Sequence, residues 1–527
     1  MKILVSDPLS EEGLKILRES GIPVDLKPGL SEDELCEVIG DYDGLIIRSG
    51  TKVTKRVIEA GKNLRVVGRA GVGVDNIDIP AATEKGILVM NTPSANIMSA
   101  AEHSCAMILA LARNIPQAHA SMHRGEWKRS KFSGIELNGK TLGIIGVGRV
   151  GGEVARRLKH FNMTLIGYDP FLPKEVADDI GVRLTTLEEV LTTSDIMTIH
   201  TPLLPDTRNM ISLPQFKMMK PTAMLINVAR GGIVNEEDLY TALSEHIIKG
   251  AAFDVWCNEP LNDLEMKLLE LDNLITTPHL GASTAEAQER VAIEIANSVI
   301  KYLRDGEIVN AINAPKGKLD PEVAKYLPLA ENMGSLAYQL NGRKPIKNLE
   351  IAIEGDLSAK DTRMINLSVL IGIMDNIVGR GAANLINVSS LAKAKGIDIK
   401  ESKSPEAEVY DSTIEVRIET DGDVFDLVGS VIGNTPRLVG INGHRLEVQL
   451  TGHMLLARYK DTPGTIGKVG VVLGNNGINI ATMSVGRDQK AGTAIMALSV
   501  DDPVSEEVLK QVNEASGFAD SKYADIE

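Results

Sequence analysis

TLGIIGVGRVGGEVARRL, residues Thr141–Leu158, reads as a strand, a glycine turn and a helix in immediate succession. The apolar run Leu142, Ile144, Ile145 has the character of a buried strand, and a helical pattern begins near Val150. Between them Gly146, Gly148 and Gly151 form G-x-G-x-x-G. The first glycine permits a tight turn, the second lets a pyrophosphate approach the backbone, and the third lets the helix pack close to the strand. The helix N-terminus offers free N–H groups and partial positive charge to the phosphates. A second strand, MTLIGYD, ends in Asp169, near the ~20-residue spacing of an acid that binds the adenosine ribose. An acid there repels the extra phosphate of NADP, so the pattern points to NAD.

The rest of the chain fits a multidomain α/β protein. At about 150 residues per domain, 527 residues suggest three or four domains. The composition, 43% hydrophobic and 24% charged, is that of a globular protein, and its few aromatics predict aliphatic cores. A formal charge of −15 argues against a general nucleic-acid or anionic-membrane surface, so anionic substrates need local basic pockets. No apolar run approaches the ~20 residues of a membrane span. The start, MKILVSDPLSEEGL, reads as strand and helix rather than signal peptide. Cys36, Cys105 and Cys257 are widely spaced and suggest neither a disulfide framework nor a metal site. The expectation is a soluble cytoplasmic protein.

Strands and helices alternate through the N-terminal lobe, which reads as parallel α/β. Its loop Gly71–Asn76 carries two glycines, but Asn76 stands where a third would be and no strand-ending acid follows. A substrate role suits it better than dinucleotide binding. From Ala95 an apolar helix, NIMSAAEHSCAMILALARNI, leaves this lobe for the second. There IMTIHTPL, AMLINVARGG, GAAFDVW and NLITTPHLGAS read as further strands ending in polar loops, which brings Thr201, Arg230, Asp254 and His279 toward one cleft. An amphipathic helix from about Thr284 returns to the first lobe. The expected fold is α/β: two flavodoxin/Rossmann-like doubly wound lobes, then an α+β intervening domain and a small βαββαβ domain. The expected boundaries are 1–97 with 284–312, 98–283, 313–450 and 451–527.

Three residues at strand ends suit hydride-transfer chemistry, in which the protein supplies orientation, a proton and charge neutralisation. His279 can exchange a proton with a carbonyl or hydroxyl oxygen. Glu259 can hydrogen-bond its imidazole and favour the charged ring. Arg230 offers a planar fork matched to an α-carboxylate. Singly, each also fits a structural role: a loop histidine, a turn residue before Pro260, a surface ion pair. Their placement after a dinucleotide site favours the catalytic reading.

The motifs GRAGVGVDNID, NTPSANIMSAAEH, GIIGVGRVG, HTPLLPDTRNMI, LINVARGGIVNEEDL, FDVWCNEP and TTPHLGAST together resemble the D-isomer-specific 2-hydroxyacid dehydrogenases over the first 310 or so residues. The resemblance implies that Arg230, Glu259 and His279 are the catalytic set. It implies NAD contacts from Val72, Gly146, Gly148, Arg149, Val150, Gly151, Asp169, Thr201, Val228, Ala229, Arg230, Asp254, His279, Leu280, Gly281 and Ala282. Many relatives carry Thr where this chain has Val72, so a hydroxyl contact is lost there. The implied substrate is 3-phosphoglycerate, oxidised to 3-phosphohydroxypyruvate, with Arg48, Ser49, Gly50 and Asn96 as binding residues and Arg69 equally suited to an internal ion pair. Trp127 is implied to lie at a dimer interface. The competing readings are a dehydrogenase of another 2-hydroxyacid and an NAD-sensing regulator without turnover.

Beyond the linker APKGKLDPE, the unit from about Pro315 to Leu450 resembles an extra domain of long family members, where it is associated with an anionic effector; His444 and Arg445 are candidate contacts. KDTPGTIGKV followed by GINIATM resembles the ACT domain, a module that often binds amino acids. Tyr459, Asp461 and Asn479 match positions that bind L-serine in feedback-inhibited relatives. The resemblance also implies a homo-oligomer, with a tetramer favoured.

Overall fold

The computed structural model describes residues 1–315, 319–487, 492–518 and 520–526. The first lobe is a parallel sheet of β1 (Ile3–Val5), β2 (Val24–Leu26), β3 (Gly44–Ile47), β4 (Val66–Arg69) and β5 (Leu88–Met90) in the order 2-1-3-4-5. This is the flavodoxin-like order, with its switch point between β1 and β3. The central strands are continuous apolar runs because helices cover both faces. One covering helix, Ala285–Asp305, comes from far along the chain; the Thr284 hydroxyl caps it. It lies so close to the sheet that a Cβ on Gly68 would meet Ile295 and Val299 within 3 Å.

The second lobe holds β6 (Thr141–Ile145), β7 (Thr164–Tyr168), β8 (Arg183–Leu184), β9 (Ile196–Ile199), β10 (Met224–Asn227), β11 (Gly250–Phe253) and β12 (Leu274–Thr276). All pair in parallel, in the order 12-11-10-9-6-7-8. The order reverses between β6 and β9, so the glycine loop after β6 opens onto the crevice where ligands bind in such sheets. The apolar hinge helix Ile97–Ala112 crosses between lobes and ends at Arg113, before Asn114 turns left-handed at φ 51°.

In the third unit, helices Pro321–Leu340 and Arg363–Val378 pack on a sheet of β13 (Asn348–Gly355), β14 (Asp398–Ser404), β15 (Ser412–Glu419), β16 (Val424–Ile432), β17 (Thr435–Ile441) and β18 (His444–Gln449). The order is 14-13-15-16-17-18, antiparallel except for the parallel pair β13–β14. The run RLVGINGHRLEVQL, strand-like in sequence, is a hairpin. Asn442 and Gly443 both take positive φ, 46° and 75°, as a type I′ turn requires. This unit touches the first lobe: Ile386 is buried in that lobe's core, and Asn384 Nδ2 donates to the Gly86 carbonyl at 3.0 Å.

The last unit runs β19 (His453–Lys460), helix Thr465–Asn475, β20 (Ile480–Arg487), β21 (Thr493–Val500), helix Glu506–Ser516, β22 (Asp520–Asp525), with sheet order 20-21-19-22. That is the βαββαβ order. Among the described residues no helix is long and apolar enough to cross a membrane, and no cluster of His, Cys, Asp and Glu could hold a metal ion.

The two long helices of the third unit cross with backbones in contact: a Cβ on Gly372 would stand 1.9 Å from the Glu331 carbonyl oxygen, and one on Gly334 2.0 Å from that of Val369. Gly372→Ala is expected to destabilise this unit by about 1–3 kcal/mol through overpacking, read as a lower midpoint in denaturant unfolding with NADH binding retained.

Candidate active site

The glycine loop has the geometry its sequence demands. Gly146 sits at φ 89°, where a side chain would be strained and would strike the His200 backbone. A Cβ on Gly151 would lie 2.1 Å from the Gly146 carbonyl oxygen, so only glycine admits this strand–helix contact. Above Gly148 there is open space. Gly148 is the N-cap of helix Arg149–Leu158 with no capping side chain, which leaves the N–H groups of the first turn available to an anion. Asp169 ends β7; its carboxylate accepts the N–H of Val147 at 3.0 Å and of Phe171 at 3.0 Å, tying the loop to the second strand.

A cavity of about 490 Å³ opens between the lobes, with Val72, Asn96, Arg149, Val150, Thr201, Val228, Ala229 and Arg230 in its wall. The Thr201 hydroxyl is buried there with no hydrogen-bond partner, a group that costs free energy unless a ligand engages it. A second cleft, of about 540 Å³, lies beside the first turn of the helix between Arg149, Met98, Leu172 and Ile180. Two clefts joined across an uncapped helix start, one holding an orphaned hydroxyl, fit the two halves of a dinucleotide.

His279 and Glu259 lie outside the wall of that cavity, on the loops after β12 and β11. His279 Nδ1 and Glu259 Oε2 are 2.8 Å apart, which leaves Nε2 for a substrate. Glu259 Oε1 accepts the Trp256 N–H at 3.1 Å. Burial works to push the Glu259 carboxyl up, but the hydrogen bond and charge of His279 and the Trp256 N–H outweigh it and hold it below the usual carboxylate range. His279 itself has φ 55°, which is uncommon for a non-glycine residue. Asp254 holds it there. Its carbonyl accepts the His279 N–H at 2.8 Å, and its fully buried carboxylate accepts the N–H groups of Leu280 at 2.7 Å and Gly281 at 2.8 Å. Thr277 also donates to that carboxylate, and His103 Nε2 on the hinge helix lies 3.2 Å from it. Burial alone pushes Asp254 up; these partners bring it below its ordinary value. Gly281 fits flush between Asp254 and Val228, and Ala282 is half-buried beside it.

On the first lobe, buried Asp7 accepts the N–H of Arg48 at 2.5 Å and of Thr51 at 3.1 Å and lies against Gly50, so it shapes the loop Arg48–Ser49–Gly50–Thr51. Asn76 clamps the same loop, donating to the carbonyls of Arg48 and Thr51 at 2.7 Å each. Arg69 is near Arg230 and Arg48; burial first, then the Arg230 charge, pushes it down to about 10, and its Nε is buried without a partner. Arg230 is 3.5 Å from Asp75. Three guanidiniums with two nearby carboxylates, Asp7 and Asp75, make a local cationic site in an acidic protein. Asn96 caps no N–H with its side chain and faces the cavity.

Sequence reasoning overlooked Asp7 and His103, and gave the loop of Asn76 a substrate role without the clamp on Arg48. Asp7 had a signal, an acid directly after a buried strand; His103, a histidine on an apolar helix face, carries none that separates it from a core residue.

In the last unit Tyr459, Asp461, the turn Thr462–Thr465 and Arg487 line a cavity of about 610 Å³. Asp461 is paired with Arg487 at 3.3 Å. Asn479 is elsewhere. It bonds Asp501 at 2.7 Å, at the opposite end of β21 from the Ala494 that pairs with Tyr459. In the third unit Arg445 is ion-paired with Glu408, and His444 Nε2 is buried without a partner. Trp127 is 77% exposed.

Residues 105–281 match the family described as D-isomer specific 2-hydroxyacid dehydrogenase, NAD binding domain. Residues 322–442 match the D-3-phosphoglycerate dehydrogenase intervening domain, and residues 453–517 the ACT domain. The chain is 45% identical to a D-3-phosphoglycerate dehydrogenase of Methanocaldococcus jannaschii, over 99% of each chain. It is 42% identical to that of Archaeoglobus fulgidus over the full length of both. Among solved structures, a Staphylococcus aureus NAD-dependent formate dehydrogenase in complex with NAD superposes with a TM-score of 0.55 at 31% identity, over 60% of this chain and 100% of that one. The chain is therefore an NAD-dependent oxidoreductase that belongs to the D-3-phosphoglycerate dehydrogenase family, within the D-isomer-specific 2-hydroxyacid dehydrogenases.

Proposed function

We propose that the protein oxidises D-3-phosphoglycerate to 3-phosphohydroxypyruvate, the first step of L-serine biosynthesis, and that L-serine inhibits it through the ACT domain. The observation that carries this reading is the His279–Glu259 pair, 2.8 Å apart with Nε2 left for a substrate; the cluster of Arg48, Arg69 and Arg230 supports it. When bound, NAD supplies the hydride-accepting ring. Arg230 receives the substrate carboxylate and polarises the adjacent carbon. His279 Nε2 takes the hydroxyl proton as the carbonyl forms, and Glu259 stabilises the resulting imidazolium. The phosphate goes to Arg48, with Ser49, Gly50 and Asn96 beside it. In reduction the same groups act in reverse.

The domains proposed for this work are 1–97 with 284–312 for substrate, 98–283 for NAD, 313–450 for an anionic effector and 451–527 for serine, in a cytoplasmic homo-oligomer. Asp461 and Tyr459 share a cavity that excludes Asn479. Asn479 therefore joins them from a second copy of the chain, which ties serine binding to self-association.

The reaction is tested by NADH absorbance with 3-phosphohydroxypyruvate, and with hydroxypyruvate and 2-oxoglutarate alongside. We expect kcat/KM at least ~100-fold higher for the phosphorylated acid, since an unmatched arginine site forfeits charge-assisted hydrogen bonds. Equal rates with and without the phosphate would move the assignment to another 2-hydroxyacid; NADH binding without turnover would favour a sensor.

His279→Asn is expected to lower kcat ~10²–10⁴-fold through loss of general acid–base catalysis, with NADH affinity, measured by fluorescence titration, little changed. An unchanged kcat would remove His279 from its role. Asp461→Ala is expected to raise the serine concentration for half-inhibition ~10-fold or more through loss of a charge-assisted hydrogen bond. Inhibition curves that superpose with those of the parent would exclude this site.

A further inference from the structure

The loop Trp256–Asn262, which carries Glu259, is held from behind by two buried carboxyls that the proposed reaction does not use. Glu236 is the first residue of helix Glu236–Ser244 and Glu265 lies in helix Asp263–Leu268; both are buried. Glu236 Oε1 accepts the N–H of Cys257 at 2.8 Å. Glu265 Oε1 accepts from Asn258 Nδ2 at 2.7 Å, and its Oε2 accepts the N–H of Asn262 at 2.8 Å. The two carboxyls also hydrogen-bond each other.

Two carboxyls in hydrogen-bond contact need one proton between them. The surroundings assign it. Glu265 already receives donors on both oxygens; these and Glu236 outweigh its burial and keep it below the ordinary carboxylate range. Burial, with Glu265 alongside, pushes Glu236 up to about 7. Cys257 also faces the pair; burial and Glu236 push its thiol up to about 12, so it stays neutral, and Arg208 acts on that thiol in the opposite sense. Glu236 is thus the donor of the pair and Glu265 the acceptor of every bond it makes.

The pair also joins two loops of the site. Arg230 lies on the segment that leads into Glu236, and in that segment Gly231 is so close to the Trp256 carbonyl that a Cβ would stand 2.0 Å from its oxygen. We infer that the Glu236–Glu265 acid pair is a positioning device, whose shared proton clamps the loop of Glu259 to the segment of Arg230 and so sets the His279–Glu259 bond in register with the substrate's carboxylate site. The inference rests on the catalytic reading of Glu259 and His279 given above. A displacement of ~1 Å at such a site can cost ~10²-fold in rate.

The proton assignment makes two isosteric substitutions unequal. E236Q keeps an acceptor for Cys257 and a donor for Glu265, so it is expected to hold kcat near that of the parent. E265Q sets an NH2 against a donor, so it is expected to lower kcat ~10–100-fold, as is E236A, by loss of positioning. KM for NADH is expected to stay nearly constant in all three. Amide hydrogen exchange of residues 256–262 in the full-length protein gives a readout independent of turnover: faster in E236A and E265Q, parental in E236Q. Equal effects of E236Q and E265Q, or parental kcat and exchange in E236A, would overturn the inference. Absence of turnover in the parent would sink the proposed reaction instead, and the exchange pattern would still decide for or against the clamp.

Discussion

Asp254 is the carboxylate on which the loop after β12, with its His279–Glu259 contact, depends. A fully buried charge is tolerated only when its oxygens are well supplied with donors. Here the donors are the backbone of Leu280 and Gly281, the Thr277 hydroxyl and, depending on tautomer, His103. Satisfying one anion therefore fixes the loop after β12, sets His279 at a backbone angle it would not adopt freely, and aims its ring at Glu259. The stability of the buried charge and the geometry of the His279–Glu259 pair are one and the same arrangement.

The same carboxylate reaches across the lobes. His103 lies on the hinge helix, and Ser99, one turn earlier, is 2.8 Å from the hydroxyl of Thr284, which caps the return helix. Both crossings between the lobes are thus bonded to each other or to the catalytic loop. The helix that joins the lobes is thus bonded directly to the carboxylate that seats the His279 loop.

Much of this was legible in the chain. The glycine loop, its flanking strands and Asp169 announced the second sheet, because each glycine there is required by a backbone contact rather than by composition. Arg230, Glu259 and His279 were readable as residues following strands in a sheet whose ligand crevice is known in advance. What escaped was whatever depends on long-range pairing. The Asn442–Gly443 turn was hidden inside an apolar run that looked like one strand. Asp7 and Asn76 act on Arg48 from 41 and 28 residues away, and nothing local says which loop they hold. Asn479 satisfied a family pattern, yet it lies at the opposite end of β21 from Asp461, since a pattern along the sequence does not fix where each residue falls in the sheet.

The contact between the third unit and the first lobe has a kinematic meaning. A domain on a single covalent tether keeps all its rotations. This one continues from the chain after Pro315 and is also pinned where Ile386 enters the first lobe's core and Asn384 bonds Gly86. A second attachment removes rotations that a single tether leaves free. Gly86 lies two residues before β5, whose far end leads to Asn91 and Thr92 behind the Val72 loop. The contact thus joins the third unit directly to the sheet that carries the arginine loops, through a patch a few residues wide.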